Sequence, residues 1–301
     1  MQIYNPDEKK NKYNKEKEYV GNYLKTWQCL VLFLVGLLGL PLAADFIFGP
    51  LFQSAMGVTK NSEESLIISY NTWVNFTSYI FIFLVELGLL FLFDWRGTVS
   101  KFKSVNGKMF LASLAYTGVL LLASELLGIL ESAIERSAGL NGINGNQQAL
   151  NSQMQLYPAV LIVETVLLAP FVEEVTYRQG LFETVRRYSR VGAYVAVILV
   201  FGLIHTGSEI ISDAIAMNNA ALTAEVRQQY QQQLYIELLT FPSYAVAGFI
   251  LARSYERNNS FLGSFFSHSI YNLLVTLITL FQMFYPGNST SSLTNLLLPR
   301  L

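Results

Sequence analysis

Apolar and polar stretches alternate along this chain on the scale of a lipid bilayer. Past a polar, lysine-rich start, seven apolar segments follow. They run at about Trp27–Phe48, Thr72–Phe93, Met109–Leu130, Leu156–Thr184, Val191–Ser208, Leu234–Arg253 and Phe261–Tyr285. Each is long enough to cross a hydrocarbon core, which takes about 17–25 residues. The pattern predicts an all-α, polytopic helical membrane protein. Residues 1–26 are expected to form a cytoplasmic polar N-terminal segment, 27–285 one helical membrane domain, and 286–301 a short C-terminal tail. The run that begins at Trp27 is too long for a signal-peptide core and lacks a small-residue cleavage site, so it is expected to stay as an anchor. Between the spans, Ser132–Gln155 is rich in Asn, Gly and Gln and is expected to be mobile. Glu209–Gln233 carries apolar residues at helical spacing, which suits either an amphipathic outer helix or a continuation of the fifth span.

Composition supports the bilayer. Of the 301 residues, 52% are hydrophobic and 14% charged, whereas soluble domains carry about 25% charge. The basic residues alternate from one side of the spans to the other. Fifteen lie before the first span or in the second, fourth and sixth connections, while Lys60, Arg136, Arg227 and Arg300 are the four on the opposite side. By the positive-inside rule the N-terminus is cytoplasmic in a multi-pass protein of the cell membrane. A net charge of −1 argues against a nucleic-acid partner. The single Cys29 excludes an internal disulfide and any paired-cysteine metal motif.

Polar residues inside the spans carry the candidate chemistry. An acidic residue at the centre of a membrane helix costs roughly 2.5–3.5 kcal/mol on insertion scales, so one that stays there usually has a partner and a task. Glu173 and Glu174 stand side by side in the fourth segment, and both histidines of the chain, His205 and His268, also fall in apolar segments. At a 1.5 Å rise per residue, Glu173 lies roughly 20 Å from Arg186, His205 roughly 22 Å from Arg190 and His268 roughly 17 Å from Arg257. Three helices thus bring one carboxylate and two imidazoles to a similar depth. Adjacent residues diverge by about 100° around a helix, so Glu173 and Glu174 cannot share a face. Glu174 and Arg178, four apart with the acid first, form the better-ordered intrahelical pair. That leaves Glu173 to face a cavity, where it can act as a general base on water. His268 and Asn272 share a face, as do Phe201 and His205.

Each of these residues alone has a plainer explanation. A lone intramembrane histidine is more often a hydrogen-bonded core residue than a ligand, and a Glu–Arg pair is often a clamp. Glu86, Glu125, Glu164 and Glu237 also fall in spans, and most of them are expected to make structural hydrogen bonds. The functional reading rests on the co-occurrence of three motifs on three helices.

Those motifs, in order, are Glu173-Glu174-Val175-Thr176-Tyr177-Arg178, Phe201-Gly202-Leu203-Ile204-His205 and His268-Ser269-Ile270-Tyr271-Asn272. They resemble the three signatures of the CAAX protease and bacteriocin-processing family of intramembrane endopeptidases, over a core of about 158–276. The chain departs from the family in having Gln179 where Gly often follows the motif arginine, with Gly180 next. The resemblance implies about seven to eight transmembrane helices around a polar intramembrane cavity. It implies hydrolysis of a peptide bond in a membrane-associated peptide or membrane-anchored protein, with Glu173 and His205 activating water. Glu174 and Arg178 would support the site, and His268 and Asn272 would stabilise the oxyanion or bind a metal. A zinc ion held by Glu173, His205 and His268 is one form of the mechanism, and a metal-free glutamate protease is the other. Eukaryotic relatives trim prenylated C-termini, and bacterial ones are linked to bacteriocin self-immunity, peptide maturation and signalling. Two rivals come from other classes. One is a non-catalytic binding or immunity protein that sequesters a bacteriocin or partners a signalling protein. The other is a proton-coupled transporter, against which the lack of inverted repeats counts.

Overall fold

The computed structural model describes residues 24–140, 142–219 and 222–284. The expected N-terminal segment, except for its last three residues, and the C-terminal tail lie outside these. No strand occurs among the described residues, and nine helical elements follow one another. They are α1 (Thr26–Met56), α2 (Glu64–Phe93), α3 (Trp95–Lys103), α4 (Gly107–Ala138), α5 (Gly145–Leu156), α6 (residues 158–186), α7 (Arg190–Met217), α8 (Ala224–Asn258) and α9 (Phe261–Phe284).

Six of them, α1, α2, α4, α7, α8 and α9, are long and apolar enough to cross a membrane. The chain is a polytopic all-α membrane protein. The seventh expected span, Leu156–Thr184, is the exception. It is helical as α6, but Glu164, Glu173, Glu174 and Arg178 give it too much charge to be counted with the apolar six. Its surroundings compensate for that polarity, because eight of the nine residues from Glu174 to Phe182 are buried inside the bundle. The outward faces are apolar instead. On α1, Leu30, Leu34, Leu38 and Leu42 form an exposed stripe at a spacing of four, while Cys29, Leu32 and Gly36 turn inward.

Between spans, packing relies on small polar residues, which let helices approach and satisfy backbone carbonyls across the contact. From α4, Ser113 donates to Gly263 O at 2.8 Å and Thr117 to Ser267 O at 3.0 Å, while Ser124 meets the Tyr271 hydroxyl at 2.9 Å, all on α9. Close approach between α1 and α6 needs glycine. A Cβ at Gly180 would stand 2.7 Å from the backbone nitrogen of Phe33. The glycine displaced by one position in the motif is therefore the one that lets α1 pack.

Three stretches of the bundle widen from α to π geometry: Ala44–Phe48 in α1, and Glu164–Leu168 and Glu174–Phe182 in α6. The first two each end two residues before a proline, Pro50 and Pro170. Proline has no N–H to give and its ring clashes with the carbonyl four residues back, so a wider turn just before it relieves both problems.

Of the two long loops, one follows an expectation and one departs from it. The Glu209–Gln233 region continues α7 to Met217 and starts α8 at Ala224, so the continuation reading holds. The Asn/Gly/Gln-rich loop is corrected: instead of a mobile connection it ends α4 and forms α5. Two groups order it. The Asn144 side chain accepts from Gln147 N at 3.2 Å as an N-cap. Glu237 on α8 accepts from the Asn144 amide, from Gly145 N at 2.7 Å and from Gln233 at 2.9 Å.

Candidate active site

The three motif helices are brought together by the order of the chain. Helix α6 runs towards the basic end of the bundle, α7 returns from it, and α8 and α9 repeat the hairpin through a tight turn at Asn258–Ser260. Asn259 sits there at φ 49°, a left-handed conformation that asparagine tolerates better than most residues.

At the centre, Glu174 on α6 is fully buried and receives two partners on one oxygen. Arg178 Nη1 lies 3.1 Å from Glu174 Oε1 and His268 Nδ1 lies 3.0 Å from the same atom. Arg178 is itself fully buried. Its Nη2 reaches Gly248 O at 3.5 Å, and its guanidinium carbon lies 4.7 Å from the centre of the Phe201 ring. A buried ion pair depends on its geometry and extra contacts to offset desolvation, and here Glu174 Oε2 and Arg178 Nε are still left without hydrogen-bond partners. Because a carboxylate can only accept, His268 Nδ1 carries a hydrogen, and Nε2 is left to face Glu173 Oε2 at 4.0 Å.

Glu173 points elsewhere. Its side chain is 12% exposed, and its buried Oε2 has no hydrogen-bond partner. With His205, His268 and Asn272 it lines a cavity of about 620 Å³ inside the bundle. His205 on α7 gives Nδ1 to Phe201 O at 2.8 Å, which leaves its Nε2 free to accept. Asn272 on α9 spends one amide hydrogen on Thr165 O at 2.7 Å. Among the described residues, no group of three His, Cys, Asp or Glu side chains stands close enough together to hold a metal ion. Glu173 and His268 approach as a pair, and no three-ligand set of Glu173, His205 and His268 is formed.

Three residues at this cavity were not singled out by sequence reasoning as site residues. Tyr244 on α8 stacks on His205 with ring centres 4.4 Å apart and planes 17° from parallel, and its hydroxyl accepts from Asn146 at 2.9 Å. Asn146 and Gln147, at the start of α5, line the same cavity. Nothing in the sequence marks these, because tyrosines in spans pack by default and the α5 stretch looks like a loop. Glu164 also lines the cavity and has an unpartnered buried oxygen, unlike the structural role expected of it. Glu86 and Glu237 do have hydrogen-bond partners, Thr176 at 2.8 Å for Glu86 and the α5 start for Glu237.

The fold and this cavity define a polytopic helical membrane protein with carboxylates and imidazoles gathered inside its bundle. Comparison with known proteins narrows the class. Residues 155–274 match the family of type II CAAX prenyl endopeptidase Rce1-like proteins. That segment holds all three motifs, so the family resemblance read from them is borne out there. At the family level the match is to a CAAX-type intramembrane protease. The chain is also similar to the UPF0177 protein YvdC of Lactococcus lactis subsp. lactis (strain IL1403), at 30% identity over 94 residues. That alignment covers 31% of this chain and 34% of YvdC, so the chain spans about a third of the curated relative it matches. No solved structure matches.

Proposed function

We propose that this protein is an intramembrane endopeptidase of the CAAX-protease type, which hydrolyses a peptide bond of a membrane-associated peptide or protein segment. The observation that carries the proposal is Glu173: a carboxylate buried at a cavity wall, with an unpartnered oxygen 4.0 Å from an imidazole nitrogen. Such a group is expensive unless it has work to do. The basic end of the bundle would face the cytoplasm.

The reaction follows from what each group can donate or accept. The substrate's extended segment enters the cavity between α1, α5 and the motif helices. Water held between Glu173 and the free Nε2 of His205 loses a proton to Glu173 as its oxygen attacks the carbonyl carbon. General-base catalysis of this kind is worth about 10²–10⁴ in rate. The carbonyl oxygen becomes an oxyanion and takes a hydrogen bond from the remaining amide hydrogen of Asn272, with the His268 ring beside it. A donor of this kind is worth about 2.7–4 kcal/mol in other acyl-transfer sites. The C–N bond then breaks, and the proton held by Glu173 passes to the leaving nitrogen to give a free amine and a free acid. Glu174 accepts from Nδ1 and fixes the His268 ring, while Arg178 holds Glu174. Tyr244 stacks on His205 and fixes the other ring. No step is routed through a metal.

Glu173→Gln and His205→Ala, each measured for cleavage of membrane-inserted peptides and for correct insertion, test this reading. Both should insert normally and lose cleavage. Cleavage at the normal rate by either variant would sink it.

A further inference from the structure

Glu164 is the second acid of the cavity, and the mechanism does not use it. It opens the π turn Glu164–Leu168, is 5% exposed, and its buried Oε2 has no hydrogen-bond partner. The polar groups beside it on the chain are already engaged. Thr165 Oγ1 turns back to Leu161 O at 2.8 Å, and Thr165 O takes the Asn272 amide. Other buried carboxylates with an unpartnered oxygen differ from it: Glu86, for example, accepts from Thr176 and does not line the cavity. Among the described residues, no lysine or arginine lines the cavity. The one arginine nearby in the motif, Arg178, is held by Glu174. The described residues thus give the cavity two carboxylates and no lysine or arginine to pair with them.

A carboxylate only accepts, and its strongest partners are ammonium and guanidinium groups. Desolvated as it is, Glu164 favours a ligand that brings both a positive charge and N–H donors. We propose that Glu164 is a subsite for a cationic side chain, Lys or Arg, of the substrate. The proposal rests on the endopeptidase reading and gives its substrate a chemical signature. The distance sets the register. Glu164 lies nine residues before Glu173 on one helix, roughly 13 Å along its axis at 1.5 Å per residue. An extended peptide covers that in about four residues at 3.3 Å each. The cation therefore sits about four residues from the scissile bond, on the side of the cavity away from the basic end.

The test uses the full chain in detergent micelles and a quenched fluorescent series of apolar dodecapeptides. Each carries one Lys, moved position by position, and is compared with the same peptide carrying norleucine. The wild type should show at least a tenfold higher kcat/KM for the peptide whose Lys lies about four residues from the cleaved bond. Glu164→Gln should lower that Lys-to-norleucine ratio towards one, Glu164→Asp should retain most of it, and Glu164→Lys should shift the preference to a peptide with Glu at that place. An equal ratio in wild type and Glu164→Gln overturns the subsite. Binding of the labelled peptides to Glu173→Gln, read by fluorescence anisotropy, separates the two proposals. A Lys preference that Glu164→Gln removes supports the subsite even where no peptide is cleaved, and absence of any cleavage by the wild type counts against the endopeptidase alone. Binding with no Lys preference overturns the subsite.

Discussion

Two carboxylates in this bundle stand in opposite circumstances. At the basic end, Glu256 on α8 is saturated. It receives Arg190 through two hydrogen bonds of 2.7 Å, Tyr194 at 2.7 Å and Arg253 at 3.0 Å, with Arg186 at 3.5 Å. Deep in the bundle, Glu173 has an oxygen with no partner. Both are largely buried, so burial does not distinguish them. What differs is how many donors the fold supplies. The donors around Glu256 come from α6, α7 and α8, so this carboxylate ties three elements together. Glu173 meets open space and an imidazole, and ties nothing together. A carboxylate that the fold leaves unsatisfied in an apolar setting is the better candidate for chemistry, and a saturated one for architecture.

That contrast predicts opposite phenotypes. The largest effect is on activity: Glu173→Gln should lower kcat/KM by about 10²–10⁴ with an unchanged thermal midpoint. A variant that instead unfolds would remove the contrast, by showing that Glu173 is structural. Next comes the pair that supports it. Arg178→Met strands Glu174 without its cation in a fully buried site, and breaking such a pair costs about 3–5 kcal/mol. It should reduce the folded yield, and Glu174→Gln in the same chain should restore part of it, since the stranded charge is then gone. At the basic end, Glu256→Gln should lose about 2 kcal/mol of stability, the scale of a hydrogen bond to a charged group. Its kcat/KM should stay within about twofold of the wild type. Equal losses of activity at Glu256 and Glu173 would show that the two regions do not divide their labour.

The smaller effects sharpen the picture around the histidines. Tyr244→Phe removes the hydroxyl that Asn146 bonds but keeps the ring on His205. It should cost about 1 kcal/mol in stability and less activity than Tyr244→Ala, which removes the stacked ring as well. The smallest expected effect is that of a chelator, which should leave cleavage unchanged. Loss restored by added zinc would instead make Glu173, His205 and His268 metal ligands in the working enzyme.

Much of the fold was legible because bilayer helices announce themselves by length and apolarity. The six apolar spans fall within a few residues of the expected segments at their basic ends, where charge stops each run. All but α9 extend well past them at the other end, where polar but helical stretches such as Glu209–Met217 continue the spiral. The Ser132–Gln155 stretch was misread for a similar reason. Its Asn and Gly residues look like a loop, and the group that orders it, Glu237, is supplied by α8 about 90 residues later. The missing seventh apolar span has the same origin: of the charges on α6, Glu174 gains a partner from α9, and Arg178 and Glu183 each gain one from α8, side chains and carbonyls that lie far away along the sequence.

The chain's own pattern determined that it is an all-helical membrane protein, that Glu174 and Arg178 lie one turn apart, and that three motif helices carry their polar groups to a similar depth. These follow from periodicity and helical rise, which are local. The tertiary structure alone decided that His268 shares Glu174 with Arg178, that Tyr244 backs His205, that α5 lines the cavity, and that Glu173 and Glu164 are left without partners there. Those outcomes depend on which side chains of distant helices meet, and on which polar atoms remain unsatisfied once they have.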